Sequence, residues 1–185
     1  MLWKIIKNYT NHGDRPLIYK SMNIECIPDP KYAVNSTCLI KAKNWNMAVL
    51  NMDCDLILPL RNTTIQMELF KKGYSNQYHP FLVNVAFNLC DIISKRNYLS
   101  YGTILWKIIK KYTNANHSCP LEGHLMARNL FIDSNNTFIP KLPLGFYLVS
   151  IKITENFLGQ QIENVGLVKY YVQAAEMVQI KKKMN

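Results

Sequence analysis

The chain has 185 residues, 49% of them apolar, which suits one globular domain and is too apolar for a disordered one. Its longest apolar runs are a few residues, far short of the roughly 20 that cross a bilayer as a helix. Twenty-two Lys+Arg against 12 Asp+Glu give a net charge of +10. The basic residues are scattered as singles and pairs, the only triple being Lys181-Lys182-Lys183, so the charge reads as solvation and nucleic acid is not expected as a partner.

Residues 2–11 repeat residues 105–114 at nine of ten positions, and the similarity ends on both sides, so no solenoid period is present. Lys4 and Lys7 break the apolar start, which leaves no usable secretory leader. Residues 1–14 are therefore expected to be an extension from a wrong gene model, a scrap of a duplicated neighbour, with the true leader missing. No Pro/Ser/Gly-rich linker divides the rest. One domain is expected over 15–178, followed by a basic tail over 179–185.

In chain order, strands are predicted around 20–26 and 37–43, on either side of the Pro28-Asp29-Pro30 turn. In 52–58, Met52, Cys54, Leu56 and Leu58 point one way while Asp53 and Asp55 point to solvent. Ile65, Met67 and Leu69 alternate with Gln66, Glu68 and Phe70. Phe81, Val83, Val85 and Phe87 form an inward stripe opposed by Asn84, Ala86 and Asn88. Over 91–112 the period changes. Ile104, Leu105, Ile108, Ile109 and Tyr112 fit helical spacing, with Lys107, Lys110 and Lys111 on the polar side. A strand follows at 124–132, then Tyr147, Val149, Ile151 and Ile153 alternate with Ser150 and Lys152. Alternation over 165–172 leaves neither face plainly solvent. About eight strands with one helical insert around 91–112 predict an all-β chain folded as a sandwich or cup.

Five cysteines, with no C-x-x-C pair, argue against zinc or thioredoxin chemistry and suggest two disulfides and a spare thiol, an extracellular pattern. Cys54, between Met52 and Leu56 on the apolar side, is the expected buried free thiol. Asn-x-Ser/Thr acceptors occur at Asn8, Asn35, Asn62, Asn116 and Asn135, where chance predicts about two. That excess points to an extracellular glycoprotein. The four histidines form no metal-binding spacing, and no nucleophile elbow or phosphate loop occurs. His117 and Cys119 stand two apart, but an extracellular cysteine is more often half of a bridge than a nucleophile. No catalytic residue, metal or cofactor is expected. Large inward stripes on facing sheets either fill a core or, where the sheets splay, line a cavity. Periodicity does not separate the two.

Several motifs do more. Tyr78-His79-Pro80-Phe81-Leu82 followed by Asn88-Leu89-Cys90-Asp91, the run Tyr112-Thr113-Asn114-Ala115-Asn116-His117-Ser118-Cys119-Pro120, and the turn Leu142-Pro143-Leu144-Gly145-Phe146-Tyr147 stand in order along the chain. With Cys26, Cys38 and Leu39-Ile40-Lys41-Ala42, they resemble a large family of secreted insect proteins of mostly unknown function. That family is similar to the ML-type lipid-recognition proteins and the ganglioside activator, and it includes CheB-type chemosensory proteins. The resemblance covers about residues 20–175. Asn88 stands where the family has Asp, and Cys54 is an extra cysteine.

The resemblance implies an immunoglobulin-like β-sandwich opened into a cup, bridged Cys26–Cys38 and Cys90–Cys119. It also implies a cavity lined by Met67, Leu69, Phe81, Val83, Val85, Phe87, Tyr147, Val149 and Ile151. The expected function is a secreted, monomeric, non-catalytic binding protein for an apolar small molecule or lipid such as a hydrocarbon or pheromone. The competing expectation is an extracellular interaction module with a closed core, whose surface binds a membrane receptor.

Overall fold

The structure is a computed structural model and describes residues 16–94, 101–133, 141–156 and 162–177. Among the described residues there are eight strands: β1 (Leu17–Pro28), β2 (Ala33–Asn44), β3 (Met47–Leu60), β4 (Thr63–Lys72), β5 (Tyr78–Asn88), β6 (Leu121–Leu130), β7 (Gly145–Glu155) and β8 (Glu163–Glu176). They pair antiparallel into a five-stranded sheet, β1-β8-β7-β4-β5, and a three-stranded sheet, β2-β3-β6. The chain is an all-β sandwich. The helical insert is α1 (Leu89–Ser94), α2 (Tyr101–Ile109) and a 3₁₀ turn at Lys110–Tyr112. The expected extension over 1–14 and the tail over 179–185 lie outside the described residues.

Register explains the apolar stripes. Val85 pairs with Met67, Met67 with Ile151, Ile151 with Val168, and Val168 with Cys26. Side chains directly opposite each other in a ladder share a face, so the stripes of β5, β4 and β7 form one continuous apolar face of a single sheet. Three residues of β5 stand opposite Leu69, because Glu68 pairs with Asn84 and Phe70 with Pro80. Leu82 absorbs the excess at φ 58° and turns outward. Phe81 and Val83 both keep their place against the core. The bulge preserves the stripe.

Three strands cannot cover five. The insert fills the remaining width, packing against β4 and β5. It sits close: a Cβ on Gly102 would lie 2.6 Å from the Phe87 ring and 2.5 Å from Ile92. Leu58 departs from the expected inward face. Register slips between Leu56 and Leu60, and both Ile57 and Leu58 are exposed.

The core divides into two clusters. One gathers Ile24, Leu50, Leu69, Tyr147, Tyr170 and Val172 toward the end where β3 begins. The other gathers Tyr32, Leu60, Leu89, Ala115, Leu121 and Val165 toward the opposite end.

Candidate functional site

Between the two clusters the sheets do not meet fully. A cavity of about 280 Å³ lies there. Met52, Cys54 and Leu56 of β3 line it with Leu125 and Ala127 of β6. Cys26 of β1, Ile153 of β7 and Val168 of β8 face them from the larger sheet. Thr113 and Ala115 close one side.

The cause is residue size. The two clusters are built mainly on Tyr, Leu and Val, whereas Ala33, Ser36, Cys54 and Ala127, with Ala115 of the second cluster, line the space between the sheets. Small side chains on facing sheets at sandwich spacing leave a void that backbone cannot collapse to fill.

The cavity is dry in chemical character. Asp53 belongs to its wall, but its carboxylate is engaged on the other face of the sheet by Arg128 and His124. The Thr113 hydroxyl accepts the Ala115 N–H at 3.1 Å. Burial is the main reason the Cys54 thiol is pushed above its ordinary value, with Asp55 and Asp53 adding to it. Cys54 is unbridged and half-buried, and its thiol stays protonated at neutral pH as a small apolar group.

The segment 113–120 holds the cavity wall in place. Asn114 donates its side-chain amide to the His124 carbonyl at 2.7 Å and accepts the Met126 N–H at 2.8 Å. Its backbone N–H reaches the Met126 carbonyl at 3.2 Å, and Thr113 bridges to Ala127. The exposed edge of β6 is thereby capped, as sheet edges need to be. Cys119 is bridged to Cys90 at a Cα separation of 5.6 Å, tying this segment to α1. The other bridge, Cys26–Cys38, joins the two sheets at 6.0 Å. Both pairings are those that the resemblance implied.

The nine residues expected to line a cavity lie elsewhere on the same sheet face. Leu69 and Tyr147 are buried in the first cluster, and Phe81, Val83 and Val149 pack against it. Met67, Val85, Phe87 and Ile151 are half-buried. None of the nine lines this cavity. Bulky stripes consume space; the opening falls where the facing residues are small. Tyr147 shows this most clearly. Its ring is fully buried and its hydroxyl donates to the Pro143 carbonyl at 2.6 Å, so the Leu142–Tyr147 turn is a structural corner. Burial pushes the Tyr147 pKa up to about 12.

Of the expected glycan acceptors, Asn35 and Asn116 are exposed. Asn62 is half-buried: its amide donates to the Asn156 carbonyl at 3.0 Å, and its oxygen accepts from Asn88. That amide nitrogen is where a glycan would attach. Asn8 and Asn135 lie outside the described residues. Among the described residues no cluster of His, Cys, Asp or Glu is arranged to hold a metal ion, and no helix is long and apolar enough to cross a membrane.

Sequence reading found the free thiol and the outward aspartates but missed what the aspartates do. His124 donates its Nδ1–H to the Asp55 carboxylate at 2.7 Å and lies 3.2 Å from Asp53, which also forms a two-pronged pair with Arg128. Asn35 donates to Asp55 at 2.9 Å. This network lies on the outer face of the smaller sheet, away from the cavity.

Fold and site thus define a disulfide-stapled, all-β sandwich with an apolar void between its sheets. A family model described as "Protein of unknown function (DUF1091)" matches residues 65–149, from β4 through the insert and β6 to the middle of β7. Most of the larger sheet's contribution to the cavity lies beyond that match, on β1 and β8. No curated protein matches the chain.

Proposed function

We propose that this protein is a secreted, non-catalytic carrier that holds a small apolar ligand between its sheets. The observation that carries this reading is the 280 Å³ void lined by Met, Leu, Val and Ala side chains, with no charged side chain turned into it. A cavity of about 150 Å³ admits benzene, so this one suits an unbranched hydrocarbon or acyl chain of about ten carbons. Transfer from water supplies roughly 0.8 kcal/mol per buried CH₂ before the cost of immobilising the ligand. No polar recognition is needed, and discrimination would rest on length and shape. Two disulfides accord with an oxidising, extracellular compartment. The ML-type resemblance, with its insect source and chemosensory associations, belongs to this same reading, as do a monomeric state and glycans on the exposed Asn35 and Asn116.

Native mass spectrometry of the secreted, oxidised protein tests it. The expected spectrum carries adducts of medium-chain hydrocarbon or acyl mass, displaced by a fluorescent medium-chain probe. A bare mass that takes up no probe at any chain length would replace the carrier with the interaction module.

A further inference from the structure

We propose that the end of the sandwich where β3 begins docks onto an anionic lipid surface. Antiparallel topology brings three connections to this end: β2–β3, β4–β5 and β6–β7. Each presents a large side chain to solvent that no packing demands. Trp45, at the β2–β3 turn, is 80% exposed. Tyr74 projects fully from the β4–β5 turn, whose backbone is closed by the Gly73–Gln77 hydrogen bond of 2.8 Å. Leu144 and Phe146 are exposed where the chain enters β7. Single exposed hydrophobes are ordinary, but a Trp and a Tyr at separate turn tips of one end are not a scattered set. Amphipathic rings of this kind prefer the headgroup layer of a membrane.

Charge agrees. Lys41 and Lys43 on β2 precede Trp45 and are exposed, and Lys141 is exposed before β7. Lys72 lies over the Phe146 ring at 5.9 Å, so cation and aromatic form one amphipathic patch. Asp133 and Glu176 are the described carboxylates nearest this end. The opposite end carries Asp29, Asp91, Glu155 and Glu163. Lys31 and Arg61 also lie at that end, beside Glu163 and Glu155, and are outnumbered there by the carboxylates, so among the described residues the aromatic tips stand on the more basic pole. A lysine near an anionic leaflet gains from the surface potential, and an aromatic tip gains from the interface, so the two act at the same depth. The cavity lies beyond the first core cluster and takes no part in the patch.

Vesicle flotation at low and physiological salt tests the assignment, using phosphatidylcholine alone and phosphatidylcholine with 30 mol% phosphatidylserine. Binding is expected to the anionic vesicles, to fall with salt, and to be weak on the neutral ones. Lys41→Glu with Lys43→Glu should weaken it by about 30-fold, and Trp45→Ala with Tyr74→Ala by a comparable factor. These positions are exposed, so unchanged melting temperatures should accompany the loss. Ala127→Phe, which narrows the cavity, should bind vesicles like the wild type. No binding, equal binding to both vesicle types, or retention of binding in both double variants would overturn the proposal. Loss of binding in Ala127→Phe alone would do so too, because it would assign the signal to lipid uptake in the cavity.

Discussion

Glu155 is a buried carboxylate, and burying a charge is costly unless its lone pairs find donors. It accepts the backbone N–H groups of Arg61 and Asn62 at 2.7 Å each and the Thr63 hydroxyl at 2.8 Å. The acid is thus a clamp holding the β3–β4 turn onto the end of β7. At the surface, His124 shows the opposite regime. Its hydrogen bond to Asp55, with the charge of Asp53 adding, raises its pKa above the ordinary 6.5. The Arg128 hydrogen bond lowers Asp53, and the Asn35 and His124 hydrogen bonds lower Asp55, both below the ordinary 3.8. A raised histidine stabilises fully below its unfolded pKa, and that stabilisation is lost as pH rises through the raised folded value. The lowered aspartates stabilise above their unfolded value and lose this as pH falls through their folded values. The network should therefore contribute most between the two ordinary values. His124→Gln is expected to lower the melting temperature more at pH 5.5 than at pH 8.5. An equal loss at both pH values would show that the imidazolium contributes nothing. His124 and Arg128 are exposed and the two aspartates partly so, so the effect should also shrink in high salt.

At the scale of elements, α2 approaches β5 as closely as it does because Gly102 has no side chain. Gly102→Val would drive two methyl groups into the Phe87 ring and should destabilise the domain by about 1–3 kcal/mol. Chemical denaturation reads this directly, and an unshifted midpoint would mean that the insert stands off the sheet. The strands over 52–58, 65–70, 81–88 and 147–153 were legible from alternation because each buries one face, and the insert was legible because its period changes. What alternation could not supply was partnership. Nothing in the spacing of Phe81–Phe87 or Tyr147–Ile151 says that both stripes belong to one sheet, since that depends on which strands pair over some 60 residues of chain. Leu58 was misplaced for a related reason. Its inward phase holds only while register holds, and the slip between Leu56 and Leu60 breaks it, leaving both Ile57 and Leu58 exposed.

For the whole molecule, the candidate site depends on where volume is missing, and a one-dimensional pattern scores volume that is present. The bulky stripes were the visible signal, yet they build the sheet face and the first core cluster. The void belongs to Ala33, Cys54, Ala115 and Ala127, small residues scattered over four segments that meet only in the fold. Cys54 alone was singled out, for its chemistry and not for its size. Two substitutions separate these views. Ala127→Phe places a ring in the wall of the cavity, so it should abolish binding of a medium-chain fluorescent probe while the melting temperature holds. Val85→Trp adds bulk to a half-buried position of β5 that does not face the cavity. It should cost about 1–3 kcal/mol through overpacking and leave probe affinity, measured well below the melting transition, unchanged. The reverse pattern, with Val85→Trp tolerated and blocking the probe while Ala127→Phe unfolds the domain, would move the ligand onto the β5 stripe and leave the inter-sheet void as a packing defect.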